Sequence, residues 1–134
     1  MECLIDTCVW IDHLRPGTPE RVRQMAQEAI NRPAAVVCEP IWFELLRQSP
    51  KSERAGIERR LVTFPMLGTP ADLWRKATVF GQHCRDAGVH AGIADLIIAT
   101  VCRHHDVTLV TFDHHFQLLA GVIGFETELL QRPA

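Results

Sequence analysis

Apolar residues along this chain fall into two alternating patterns. Short unbroken runs read as buried strands; longer stretches with apolar positions three or four apart read as helices. Cys3-Leu4-Ile5 is the first run and Asp6 ends it, after which Thr7-Cys8-Val9-Trp10-Ile11 starts a helical pattern that Arg15-Pro16-Gly17 breaks. Thr18 as N-cap and Pro19 as first helical residue restart the chain. The helix they open runs to about Asn31, with Val22, Met25, Ala26, Ala29 and Ile30 on one face and Pro33 closing it. Residues 34–38 form a second buried run. Glu39-Pro40 opens a helix carrying Ile41, Phe43, Glu44, Leu45 and Leu46, and Ser49-Pro50 opens another through Ile57, Leu61 and Val62.

Residues 64–67 are short and ambiguous, with a brief strand as one reading. Thr69-Pro70-Ala71-Asp72 carries an N-cap, a proline and an acid three residues on, which starts a helix to Ala87 with Gly88 as its C-cap. Gly92 or its neighbours open a further helix, with Ile93, Leu96, Ile97, Thr100 and Val101 at helical spacing. Residues 107–111 are the clearest strand after the first. Asp113 and a short helix through Phe116, Leu119 and Ala120 follow. A last edge strand is expected within 121–124, and a closing helix over 126–130. Strands alternating with helices predict an α/β fold, a mainly parallel sheet covered on both faces. No repeat, low-complexity tract or linker divides residues 1–134, so a single domain is expected.

Charge narrows the function classes. Fourteen basic against sixteen acidic residues give a net charge of −2, which argues against tight unaided binding to nucleic acid or anionic membrane. A substrate whose phosphates are neutralised by bound cations remains open. No apolar run approaches the ~20 residues that span a bilayer, and Glu2 and Asp6 stand where a signal peptide carries basic residues. Five cysteines lie at scattered spacing without a C-x-x-C pair, so reduced structural thiols and a cytoplasmic setting are expected.

Four acids are awkwardly placed. Asp6 follows the first strand, Asp113 follows the strand at 107–111, Glu44 lies between Phe43 and Leu45-Leu46, and Asp95 opens the apolar stretch Leu96-Ile97-Ile98-Ala99. Such acids are seldom buried unless paired or bound to a metal. Two carboxylates about 4 Å apart repel by roughly 4 kcal/mol at an effective dielectric near 20, so four at one sheet edge require a cation. Mg²⁺ or Mn²⁺ prefers oxygen donors, and Mg²⁺ keeps several waters beside a few carboxylates and substrate phosphates. Each acid also has a bland explanation. Asp6 and Asp113 would cap the helices after them, Asp95 would meet a helix macrodipole, and Glu44 would face solvent or pair with Arg47. The basic residues Arg47, Lys51, Arg54, Arg59 and Arg60 read as a solvated face, with Arg47 the one placed to approach a phosphate or a partner's carboxylate. Trp10 and Trp42 read as core.

Taken together these segments resemble the PIN domain family, in particular its VapC-type toxin ribonucleases. The resemblance lies in Leu4–Leu14 around Asp6, in Phe43-Glu44-Leu45-Leu46, in Asp95-Leu96-Ile97-Ile98-Ala99, and in Thr111-Phe112-Asp113-His114-His115-Phe116, all in family order. It implies a PIN-like α/β/α sandwich and an endoribonuclease dependent on Mg²⁺, with Mn²⁺ as the alternative. Asp6, Glu44, Asp95 and Asp113 would be its metal-site acids, and Thr7 and Thr111 would orient those acids or a water. It further implies RNA as substrate, a cognate antitoxin and a homodimer. His115 departs from the family, standing where an aspartate is common. A neutral imidazole suits softer metals than Mg²⁺, so His115 either favours Mn²⁺ or faces solvent. Two rivals stay in view. An aspartyl-phosphate enzyme would want an acid where Cys8 stands, and a catalytically inactive PIN-like module would only bind RNA or protein.

Overall fold

The computed structural model describes all residues, Met1–Ala134. Five strands, β1 (Cys3–Ile5), β2 (Ala35–Cys38), β3 (Met66–Leu67), β4 (Thr108–Thr111) and β5 (Glu126–Leu129), form one parallel sheet in the order β3-β2-β1-β4-β5. Seven helices connect them: α1 (Thr7–Leu14), α2 (Glu20–Ile30), α3 (Glu39–Arg47), α4 (Arg54–Leu61), α5 (Leu73–Asp86), α6 (Ile93–His105) and α7 (His115–Ile123). The α/β/α class expected from the alternation is therefore the one observed, and every strand pair is parallel.

The central strands are continuously apolar because helices cover both of their faces. Every residue of β2 is buried, and Leu4 of β1 lies in register with Val36 of β2 and Leu109 of β4. The helices fall into two packing sets, α1 with α2 and α3 and α3 with α4, and α5 with α6 and α7, bridged where α3 meets α6. Trp10 is 1% exposed and sets its ring edge-on to Phe64, 5.2 Å between centroids. No helix is long and apolar enough to cross a membrane.

Strand order places the site. From β1 the chain moves through β2 to β3 on one side, then crosses to β4 and β5 on the other. The carboxyl ends of β1 and β4 thus flank the point where the order reverses, the crevice in which open α/β sheets bind ligands. Asp6 and the turn Thr111-Phe112-Asp113 sit there.

Several local expectations need correction. Residues 121–124 are not an edge strand: α7 continues to Ile123 and ends at Gly124, φ +91°. Residues 126–130 are not a helix, because Glu126–Leu129 pairs along β4 as the edge strand β5. Its helix-forming Glu and Leu residues yield to that pairing, and its charges suit an edge. Thr18 caps nothing, since α2 begins at Glu20 and the Thr18 hydroxyl is buried without a partner. Thr69 donates to Glu39 Oε1 at 2.7 Å rather than capping α5, which starts at Leu73. Ser49 closes α3 by donating to the Leu45 carbonyl, and α4 starts only at Arg54.

Gly88 does terminate α5. Its N–H bonds to Arg85 O at 3.1 Å and Val89 N–H to Cys84 O at 2.8 Å, with Gly88 at φ +73°, a Schellman ending. Gly88→Ala should therefore lower the unfolding free energy by about 1 kcal/mol. Gly17→Ala, in open space at ordinary φ, should stay within about 0.5 kcal/mol of the parent. Urea midpoints at unchanged m-value would check both.

Candidate active site

Asp6 is the N-cap of α1, and its local role is visible in the backbone. Its carbonyl accepts from Val9 N–H at 3.0 Å, and its side-chain Oδ1 accepts from Thr7 N–H at 2.8 Å. Capping accounts for Oδ1 alone. Oδ2 accepts from the Thr111 hydroxyl at 2.7 Å and from the Cys8 thiol at 3.2 Å. The Thr111 oxygen in turn accepts from Asp113 N–H at 3.0 Å. One buried hydroxyl from β4 thus holds both the acid after β1 and the turn bearing the next acid.

The other acids attach to this pair from neighbouring elements. Thr7 donates its hydroxyl to Glu44 Oε1 at 2.9 Å, tying α1 to α3. Arg47 does not pair with Glu44; its guanidinium lies 5.5 Å from the centroid of the Phe43 ring. Asp113 Oδ1 accepts from His115 N–H at 2.9 Å, so it also caps the first turn of α7. Asp95 lies in the first turn of α6, half-buried, where the macrodipole favours a negative charge.

Electrostatics links all four. Asp6 is 5% exposed, and burial pushes its pKa up to about 6. Donors on Thr111, Cys8 and Thr7 oppose that rise, and the nearby Glu44 charge adds to it. Asp95 is also held above the usual carboxylate range, first by burial, then by the charges of Asp113 and Glu44, while His115 pulls the other way. His115 therefore shares the electrostatic surroundings of Asp95, and it is half-buried rather than fully solvated.

Cys8 was missed as a site residue, grouped with the structural thiols. Besides its bond to Asp6, its sulfur lies 3.4 Å from Thr111 Oγ1 and accepts from Phe112 N–H at 3.4 Å. Burial and the Asp6 charge push the thiol up to about 12, so it stays neutral and can donate. Its position two residues after Asp6, at the opening of a helix, was the available signal. Three of the other basic and histidine residues hold local surface contacts, while His13 is half-buried with its Nδ1 lacking a partner. Arg60 donates to Asn31, Arg54 to the Ser49 carbonyl, and His105 meets the Gly68 carbonyl at the end of α6.

The donor set suits a hard divalent cation in kind, since the four acids offer carboxylate oxygens and mutual repulsion. No three acidic, histidine or cysteine side chains come close enough to chelate an ion by themselves. Both Asp6 oxygens are already engaged by protein donors. An ion held here would therefore need waters or substrate phosphates for most of its coordination, as Mg²⁺ commonly takes.

Comparison with known proteins agrees with this architecture. The family model for the PIN domain matches residues 3–122. Ribonuclease VapC21 of Mycobacterium tuberculosis is 30% identical over 69 residues, 50% of each chain; this chain spans about half the length of that curated relative in the match. Among solved structures, VapBC2 from Rickettsia felis bound to a DNA fragment from its promoter superposes with a TM-score of 0.76 at 16% identity, covering 98% of this chain and 100% of that one. VapBC-5 from Mycobacterium tuberculosis, a member of the VapBC family of toxin–antitoxin systems, gives 0.63 at 21%, covering 98% and 100%. At these identities the superpositions establish the fold.

The buried Asp6 has a stability consequence. A carboxyl whose folded pKa lies above its unfolded value of about 4 favours folding at low pH, and that contribution is lost as pH rises through about 6. In chelator, Asp6→Asn should therefore be more stable than the parent at pH 8, by on the order of 2–3 kcal/mol. The advantage should shrink as pH falls towards 4. Thermal melts across that range check it, and equal melting temperatures throughout would contradict it.

Proposed function

The chain belongs to the PIN domain family, and on that premise we propose that it is a metal-dependent endoribonuclease, the toxin of a toxin–antitoxin pair. The observation that carries this reading is the Thr111–Asp6 hydrogen bond at 2.7 Å. It joins two acid-bearing segments at the switch point of the sheet, with Glu44 and Asp95 coupled to them by charge.

In this reading Asp6, Glu44, Asp95 and Asp113 hold Mg²⁺ or Mn²⁺, partly through waters. When bound, the ion would supply the positive charge that shields a phosphodiester and makes water a stronger nucleophile. The chain's own residues set the geometry. Thr111 and the Thr7 N–H fix the two oxygens of Asp6, so its carboxylate plane cannot rotate. Thr7 engages Glu44 Oε1 and leaves Oε2 to receive a proton from an attacking water. Asp113 spends Oδ1 on His115 N–H and likewise keeps Oδ2. The wall of buried residues behind Asp6, among them Ile5, Cys38 and Val110, excludes water from that side.

RNA is the proposed substrate, the ion rather than a basic groove bringing the phosphate in, which accommodates the net charge of −2. A cognate antitoxin and a homodimer are the proposed partners. The toxin–antitoxin assemblies among similar structures support the antitoxin.

Labelled RNA incubated with the purified protein should be cut in Mg²⁺ or Mn²⁺ and spared in chelator. Thr111→Val should slow cleavage by about 10–100-fold, and Asp6→Ala should abolish it. Mg²⁺ should raise the melting temperature of the parent and leave that of Asp6→Ala unchanged. An Asp6→Ala protein that cuts like the parent would refute the assignment. A parent that binds RNA in an Asp6-independent manner without cutting it would identify an inactive binding module instead.

A further inference from the structure

The residues after β5 return across the site's supporting layer. Leu130 N–H donates to the Thr111 carbonyl at 2.8 Å, prolonging the β4–β5 pairing. Two residues on, the Arg132 guanidinium meets two partners at once. Nη2 stands 2.7 Å from Asp12 Oδ2 on α1, and the guanidinium carbon lies 4.4 Å from the centroid of the Phe112 ring.

Both partners are informative. Asp12 is 7% exposed, and its Oδ2 is sealed from solvent without a well-aligned hydrogen-bond donor. The link to Arg132 is therefore an ion pair slightly off hydrogen-bond line, and Arg132 is the cation that meets this buried charge. Phe112 is the residue between Thr111, which holds Asp6, and Asp113; its N–H donates to Cys8 Sγ at 3.4 Å. A planar guanidinium can stack on a ring by its face while its edge meets a carboxylate, which an ammonium cannot do.

We propose that Arg132 is a positioning residue for the active site. By pairing with Asp12 and stacking on Phe112 it clasps the turn 111–113 to α1, the helix that Asp6 caps. The consequence for cleavage rests on the nuclease reading given above; the ordering of the turn does not. The competing account makes Arg132 only the counter-ion of Asp12, a contribution to stability.

Arg132→Ala and the double variant Asp12→Asn/Arg132→Ala separate these accounts, because the double variant removes the buried charge along with its partner. Amide exchange would be followed at residues 111–114 against β2 as internal reference, with kcat and KM for RNA cleavage measured in parallel. In both variants exchange at 111–114 should quicken about tenfold while β2 is unchanged. Both should lower kcat by about 10–100-fold with KM within about twofold. The double variant should regain melting temperature lost by the single one, yet not kcat. Should Arg132→Ala fail to fold, the double variant alone carries the comparison. Restored kcat and restored protection in the double variant would overturn the proposal, as would parental values in both. If the parent itself cuts no RNA, the nuclease reading fails and exchange alone decides, faster exchange in the double variant sustaining the clasp and parental exchange removing it.

Discussion

The candidate site depends on holding one carboxylate buried at the end of the first strand. Asp6 is nearly sealed from water, and a charge there is unfavourable unless donors surround it. Thr111, Cys8 and the Thr7 backbone supply those donors. Their combined effect does not offset burial, since the pKa remains raised to about 6. The arrangement persists because each donor also serves the fold: Thr7 begins α1, and Thr111 ends β4 while holding the turn to Asp113. What is unfavourable for Asp6 alone is thus embedded in contacts the sheet needs anyway.

Sheet order explains why these residues meet. Asp6 and Thr111 are 105 positions apart in sequence, and only the pairing of β1 with β4 brings them together. Glu44 enters from α3, on one side of the sheet, and Asp95 from α6, whose helix packs against α3 although it belongs to the other layer. The acids are therefore drawn from both layers onto the edge between them. A site of this kind gathers negative charge where the backbone leaves room for a ligand.

The sequence made the sheet's interior legible because strands buried on both faces leave unbroken apolar runs, as Cys3–Ile5 and Ala35–Cys38 do. It also marked the four acids, each conspicuous beside apolar neighbours. It was less informative wherever tertiary pairing outweighed local preference. Glu126–Leu129 has helix-forming residues and becomes a strand only because β4 offers a free edge. Thr18 and Thr69 look like caps, but the helices behind them start later, and Thr69 finds Glu39 instead. Cys8 was hidden by its type: a thiol reads as core, while its bond to Asp6 depends on the turn into α1. Arg132 could not be read from the chain at all, because its partners Asp12 and Phe112 are distant in sequence. The roles of Asp6, Glu44, Asp95 and Asp113 in holding a metal rest on their chemistry and mutual charge.

The proposed role of Asp6 requires that burial raise its pKa and that a divalent cation lower it. Side-chain ¹³C NMR of Asp6 through a pH titration measures this directly, once in chelator and once in saturating Mg²⁺. The midpoint should lie near 6 in chelator and fall clearly with Mg²⁺, because a bound cation favours the ionised form. A midpoint near the ordinary aspartate value of about 4, unmoved by Mg²⁺, would contradict it.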